Sequence, residues 1–239
     1  MRIWDLHPGY LDRKRLLGEH RELHGLVNII SQGKKGYARH RETLRWVGHL
    51  PALCTRHQLL VSEMMLRGYN HHSPVPEFNP PGTWPDIFID TPVDQLRLLA
   101  DKQADETSAR IPIPRNTQQL WAQHKYSVMA HDPLLYTTLG SEVAHGKYRD
   151  DMRGLANLMI ETMRTEPQTG RLRNALNHMW GYVSDSQHHM PEQDEELMQL
   201  IRQQAIVQQK HYLLESTALS ELSIWIPATE TGATSSPYT

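Results

Sequence analysis

Two histidines and a basic loop are the first features whose residue types and spacing could do chemistry. His20 and His24 are four apart, so they share one face of any helix that carries them, as a pair of metal ligands would. No third ligand is indicated beside them, and Cys54 is the single cysteine, so no metal centre, cofactor or internal disulfide is expected. His71 and His72 read as the start of a linker. Lys34, Lys35, Arg39 and Arg41 fall within GKKGYARHRET, which is either a solvated loop or a patch that tracks phosphates. Glu22, beside Arg21, reads by itself as an ordinary surface carboxylate. Farther on, Arg173, Asn177 and Trp180 line one helix face, as do Asn174 and His178. With His124, Lys125 and Arg171 they could hold a phosphate or stack on a base, or form a buried hydrogen-bond network between helices.

The elements that must position these groups are helices. Leu16, Leu23, Leu26, Val27 and Ile30 recur at helical spacing, and with Asp12 as N-cap and Gly33 as stop they predict a helix from Asp12 to Ser31. A short helix over Arg41–Val47 follows, then a long one from Pro51 to Arg67, ended by Gly68. Five prolines between Pro74 and Pro85 interrupt helical spacing and mark a connector over residues 76–115 with one short helix, Pro92–Lys102. Helical spacing resumes after Asn116 in five segments, the last running from Pro191 to Ser216, with Trp121, Tyr126, Leu155, Leu158, Met159, Leu172, Leu176, Met179 and Trp180 as core. Alternating strand patterns are absent, so the expected fold is all-α. The expected units are residues 1–75, the connector, residues 116–226 and a disordered tail over 227–239.

The formal net charge of -2 hides an asymmetry. Residues 1–75 carry 12 Lys and Arg against 6 Asp and Glu, and the remaining residues carry 13 against 21. A basic third joined to an acidic remainder fits a chain of which one part meets a polyanion. The mean hydropathy of -0.59 and the lack of any long apolar run exclude a membrane span, and no signal peptide is legible, so a cytoplasmic protein is expected.

Two separate segments carry a family likeness. Arg2, then HRELHGLV with Arg21 and Glu22, then RHQLLVSEMMLRGYN, resemble the pyrimidine-dimer DNA glycosylases of the endonuclease V type over roughly residues 1–75. LWAQHKYSVMAHDP and GRLRNALNHMWGYV resemble the helical YbgA-like domain of unknown function over residues 116–220; the resemblance implies an accessory nucleic-acid-binding role, for which His124, Lys125, Arg171, Arg173 and Asn177 are the candidates read from the helix faces. The first likeness implies a DNA repair glycosylase with abasic-site lyase activity and double-stranded DNA as partner. A binding module for DNA or structured RNA is the alternative. The implied nucleophile is the α-amine of the first residue, here Met1, attacking sugar C1′ through a Schiff base, with Glu22 as acid and base. Arg2, Arg21, Lys34, Lys35, Arg39, Arg41 and Arg56 would then contact nucleic acid. An α-amine with pKa near ~7.7–8 is about one-tenth neutral at pH 7, against about one part in a few thousand for lysine, so no buried lysine is required. Met1 stands where the family exposes a small threonine after methionine removal, and bulky Arg2 disfavours that removal. Gly25 stands where the family has a second arginine one turn beyond the glutamate, and the family's aromatic C-terminal segment has no counterpart.

Overall fold

The computed structural model describes residues 1–78, 80, 82–103, 109–184 and 189–227. Among them the chain is all-α, with no strand. A 3₁₀ turn at Pro8–Tyr10 leads into α1 (Arg13–Gln32), α2 (Arg41–Trp46) and α3 (Leu50–Leu66). These are followed by α4 (Pro92–Gln103), α5 (Thr117–His131), α6 (Pro133–Ala144), α7 (Met152–Met163), α8 (Thr169–Trp180), α9 (Asp194–Val207), α10 (His211–Leu214) and α11 (Ala218–Glu221). A 3₁₀ turn at Leu222–Trp225 ends the described chain's regular structure.

The local punctuation works by the expected chemistry. The Asp12 carboxylate accepts from the Arg15 N–H at the start of α1, and Gly33, at φ 62°, takes the left-handed conformation that ends it. The segment from Pro191 to Ser216 is not one helix: Gln209 adopts φ 52°, which breaks it into α9 and α10. Residues 217–225 form a further helix and turn for which no periodic signal was read. Of the tail expected to be disordered, residues 228–239 lie outside the described residues.

Three groups of buried apolar side chains hold the chain. The first packs Leu16, Leu23 and Leu26 of α1 against Leu53, Leu60 and Met64 of α3, under Ile3, Trp4 and Leu6 of the N-terminal segment. Residues 76–115, expected as a connector, supply Leu96, Leu99 and Ile111 to this same core, and α7 adds Ile160. The second gathers α5, α8 and α9 around Met129, Leu176, Met179 and Ile201, with Leu219 and Leu222 from the chain's end. The third joins α5, α6 and α7 through Val128, Leu139 and Met159. Polar links also cross between the first and second groups. The Glu63 carboxylate of α3 accepts from Arg110 at 2.6 and 2.9 Å, from Arg67 at 2.7 Å and from the Ser220 hydroxyl at 2.7 Å. Burial alone would raise its pKa, but the Arg110 and Arg67 guanidiniums outweigh that and hold it well below the usual carboxylate range.

Candidate catalytic and nucleic-acid-binding site

The N-terminal segment has no helix of its own, so its backbone amides need partners from elsewhere. Each of four consecutive N–H groups finds a side-chain acceptor. Arg2 N–H donates to Glu22 Oε2 of α1 at 2.5 Å, Ile3 N–H to the Glu42 carboxylate of α2, Trp4 N–H to Glu19 Oε1 of α1 at 3.1 Å, and Asp5 N–H to Gln95 Oε1 of α4 at 2.9 Å. Three helices therefore hold residues 2–5 extended, and the chain's first atoms are placed by a rigid scaffold.

The consequence falls on Met1 and Glu22. While Glu22 Oε2 is fixed on the Arg2 amide, Oε1 lies 3.8 Å from the Met1 α-amine. The Glu22 side chain keeps 42% of its exposure and that of Met1 11%, so the carboxylate is open to solvent and the first residue is largely covered. A small polar hollow of about 100 Å³ opens beside Met1, lined among others by Arg2, Arg41, Glu42 and Asp90. An amine and a carboxylate at this separation can act in sequence as nucleophile and proton acceptor.

The carboxylates around the pair are held by buried cations. Arg56 makes two bonds to Glu19, at 2.8 and 2.9 Å, and a third to the Leu6 carbonyl at 2.7 Å. It is 2% exposed, so the expectation that Arg56 contacts nucleic acid is corrected: its guanidinium is consumed in positioning the acceptor for Trp4. Even with Arg56 in place, burial keeps the Glu19 carboxyl above its ordinary pKa. Asp5 is gripped by Arg45 at 2.8 Å and Arg164 of the α7 C-terminus at 2.9 Å. Arg2 also departs from expectation, because its guanidinium pairs with Asp90 and stacks 4.3 Å over Trp4 rather than standing free for a phosphate.

Arg21, Lys34, Lys35, Arg39 and Arg41 are exposed, as are Arg13 and Lys14. Of the six acids in residues 1–75, Asp5, Asp12, Glu19, Glu42 and Glu63 are buried, and only Glu22 reaches solvent appreciably. Arg2, Arg15, Arg45, Arg56 and Arg67 pair with acids, so the charged side chains this third leaves to solvent are almost all cationic. Tyr37, 74% exposed and at φ 54°, stands in the loop between Lys35 and Arg39.

The second set of expected binding residues is largely engaged internally. His124 is buried, with Nδ1 2.9 Å from the Leu120 carbonyl, and burial pushes it down to about 4. Its expected contact with nucleic acid is corrected accordingly. Lys125 lies 4.7 and 4.6 Å from the Tyr126 and Tyr212 rings. Arg171 reaches the His131 carbonyl, and Arg173 ties α8 to Pro191, Glu192 and Asp194. Asn174, Asn177 and His178 are exposed.

Sequence reasoning missed Glu19, Glu42, Asp5 and Gln95. Glu19 alone had a local signal, standing three residues before Glu22 on the same helix face. It also set aside His20 and His24 for want of further ligands, and that reason is overturned: His57 of α3 and His71 converge on them. Burial, and then the neighbouring His24 and His71 rings, bring His20 down to about 4, and burial with the rings of His20, His24 and His71 brings His57 to about 3.

Gly25 sits exposed within α1, and a Cβ built there meets nothing within 4 Å. Gly25→Arg is therefore expected to raise stability by about 0.6–1 kcal/mol, since mid-helix glycine is about 0.8–1.0 kcal/mol worse than alanine and arginine nearly matches alanine. Thermal unfolding checks this as a rise of about 1–4 °C.

Residues 1–77 match the family model described as pyrimidine dimer DNA glycosylase, and residues 125–208 match one described as protein of unknown function (DUF1722). No curated protein and no solved structure matches the chain.

Proposed function

We propose that this chain, whose N-terminal third matches the pyrimidine dimer DNA glycosylases, is a DNA repair glycosylase with abasic-site lyase activity, acting on pyrimidine dimers or related damaged bases. The observation that carries the reading is the Met1 amine 3.8 Å from Glu22 Oε1, with Glu22 anchored through its other oxygen to the Arg2 amide. In this mechanism the neutral amine attacks C1′ of the target sugar and the bond to the base breaks, the base leaving with the electron pair. Ring opening gives an imine between Met1 and C1′. Glu22 then takes a proton from C2′, and the 3′-phosphate departs by β-elimination. The target nucleotide must leave the stack for the amine to reach C1′. Arg21, Lys34, Lys35, Arg39 and Arg41 supply the phosphate contacts.

Borohydride trapping tests the chemistry. Protein verified by mass to begin at Met1 is incubated with duplex DNA holding either an abasic site or a cyclobutane dimer. A covalent adduct on the dimer duplex is expected. An adduct on the abasic duplex alone reduces the reading to a lyase, and none on either duplex by a protein that binds both overturns it.

The inward turn of the acids favours a second reading, a non-catalytic module for DNA or structured RNA such as tRNA. Its mark is tight, salt-sensitive binding without any adduct. Both readings require that Lys34→Ala with Lys35→Ala weaken duplex binding at 0.15 M salt and reduce the slope of log K against log salt by about 1.8, at about 0.9 per phosphate contact. A slope unchanged by the pair removes this loop from the interface.

A further inference from the structure

His20 and His24 stand on successive turns of α1, His57 on α3, and His71 in the extended chain that follows α3. One ring nitrogen of each lies within 4.8 Å of the others. His24 Nε2 is 3.3 Å from His20 Nε2, 3.2 Å from His57 Nε2 and 3.4 Å from the Ser73 hydroxyl. The rings splay around a shared point, with centroids 4.6–5.1 Å apart in the five closest pairs and most planes steeply inclined.

Hydrogen bonding does not account for this convergence. A neutral imidazole nitrogen carries either one proton or one in-plane lone pair, so His24 Nε2 completes one of its three contacts and leaves the others unmet. A cation at the centre would meet a lone pair from every ring. With metal–nitrogen bonds of about 2.0–2.1 Å, the edges of a tetrahedron measure about 3.3–3.4 Å. Two of the nitrogen separations are already close to that length, and the widest needs to close by about 1.5 Å. Three of the rings rest on α1 and α3, whose packing in the first core fixes them, and the fourth rides on a loop that can adjust.

We propose that His20, His24, His57 and His71 bind one divalent transition-metal ion of the zinc class, clamping the chain that leaves α3 onto the α1–α3 pair. Imidazole nitrogens select zinc, cobalt, nickel or copper over magnesium and calcium, which take oxygen ligands. All four ligands are neutral, so the ion keeps its double positive charge in the basic third of the chain. His57 and His71 also line a cavity of about 420 Å³ between α3, α9 and the connector, which gives the ion a route of access. The site shares no residue with the Met1 and Glu22 pair, and its proposal does not depend on that pair's chemistry.

The test uses untagged, metal-stripped full-length protein titrated with Zn²⁺, Co²⁺ and Mg²⁺. One Zn²⁺ per chain is expected, with a rise in melting temperature, the strong visible absorption of four-coordinate Co²⁺, and no uptake of Mg²⁺. His24→Gln removes the central nitrogen and His71→Gln a loop ligand that the fold does not require. Each is expected to weaken Zn²⁺ binding at least tenfold and to reduce the thermal shift accordingly. If His24→Gln fails to fold, His71→Gln decides alone. No stoichiometric uptake overturns the site, as does Zn²⁺ binding that survives these variants through other histidines. Equal affinity for Mg²⁺ overturns the assigned class.

Discussion

Extending the chain by two residues before Met1 should abolish the borohydride adduct, while Glu22→Gln should slow strand cleavage from the imine by about 10²–10⁴-fold, the range spanned by loss of a positioned acid or base. Two added residues carry the new amine up to about 7 Å beyond the old one, out of reach of Glu22 Oε1, and convert the Met1 nitrogen into an amide. The glutamine variant is more informative about the acid–base part. Its side-chain oxygen can still accept the Arg2 N–H, so residues 2–5 stay held by Glu19, Glu42 and Gln95, but no carboxylate remains to take the C2′ proton. Glu22→Asp should fall between, since its carboxylate retreats by about one C–C bond length, 1.5 Å, and cannot serve the amide and the amine together. Single-turnover trapping and strand cleavage on an abasic duplex, with duplex affinity measured in parallel, separate these outcomes. A glutamine variant that cleaves the strand at the wild-type rate would remove Glu22 from the chemistry and leave it as a clasp for the N-terminal segment.

Glu63→Ala is expected to destabilise the protein by about 3–5 kcal/mol, because it leaves the Arg110 and Arg67 guanidiniums, and the Ser220 hydroxyl, without the carboxylate that satisfies them. For a chain of this size that is a fall in melting temperature of about 6–20 °C. The effect should depend on pH in a defined sense. The folded-state pKa of Glu63 lies below its unfolded value near ~4.3, so its ionisation stabilises the fold above that value and the contribution is lost as pH falls through and below it. The gap between wild type and Glu63→Gln should accordingly be widest near neutrality and narrow below about pH 4. Thermal denaturation across that range measures it, and a gap independent of pH would mean that packing, not charge, is what Glu63 supplies. The same residue joins α3 to Ser220 of α11, so loss of Glu63 should loosen α11 together with α3 rather than α3 alone.

The helices were legible because their signals are local. The apolar stripe of α1, the Asp12 cap, the Gly33 stop and the prolines around residue 80 act within a few residues of themselves, and the backbone obeys them whatever surrounds it. The approach of an arginine to Glu22 in sequence, and the interval from Arg2 to Glu22, were likewise visible, although only a family likeness made them meaningful. Burial was not visible. Arg56 and Arg41 look alike in a charge count, yet one is sealed beneath the N-terminal segment and the other faces solvent, since α3 packs its Arg56 face onto α1 while Arg41 begins α2 at the surface. Gln209 carries no breaker signature, and its left-handed conformation is imposed by the return of α10 onto the second core.

What the sequence by itself determined is therefore the all-α class, the position of most helices, the basic character of the first third and the pairing of Met1 with Glu22 as a hypothesis. Only the tertiary structure decided which charges are spent inside, how residues 2–5 are clasped by α1, α2 and α4, and that four histidines from positions 20 to 71 meet at one point. The reason is the range of the forces involved. Hydrogen-bonded turns and apolar periodicity read neighbours along the chain, whereas desolvation and long-range pairing depend on which surfaces close against one another, and that is set by packing of the whole fold.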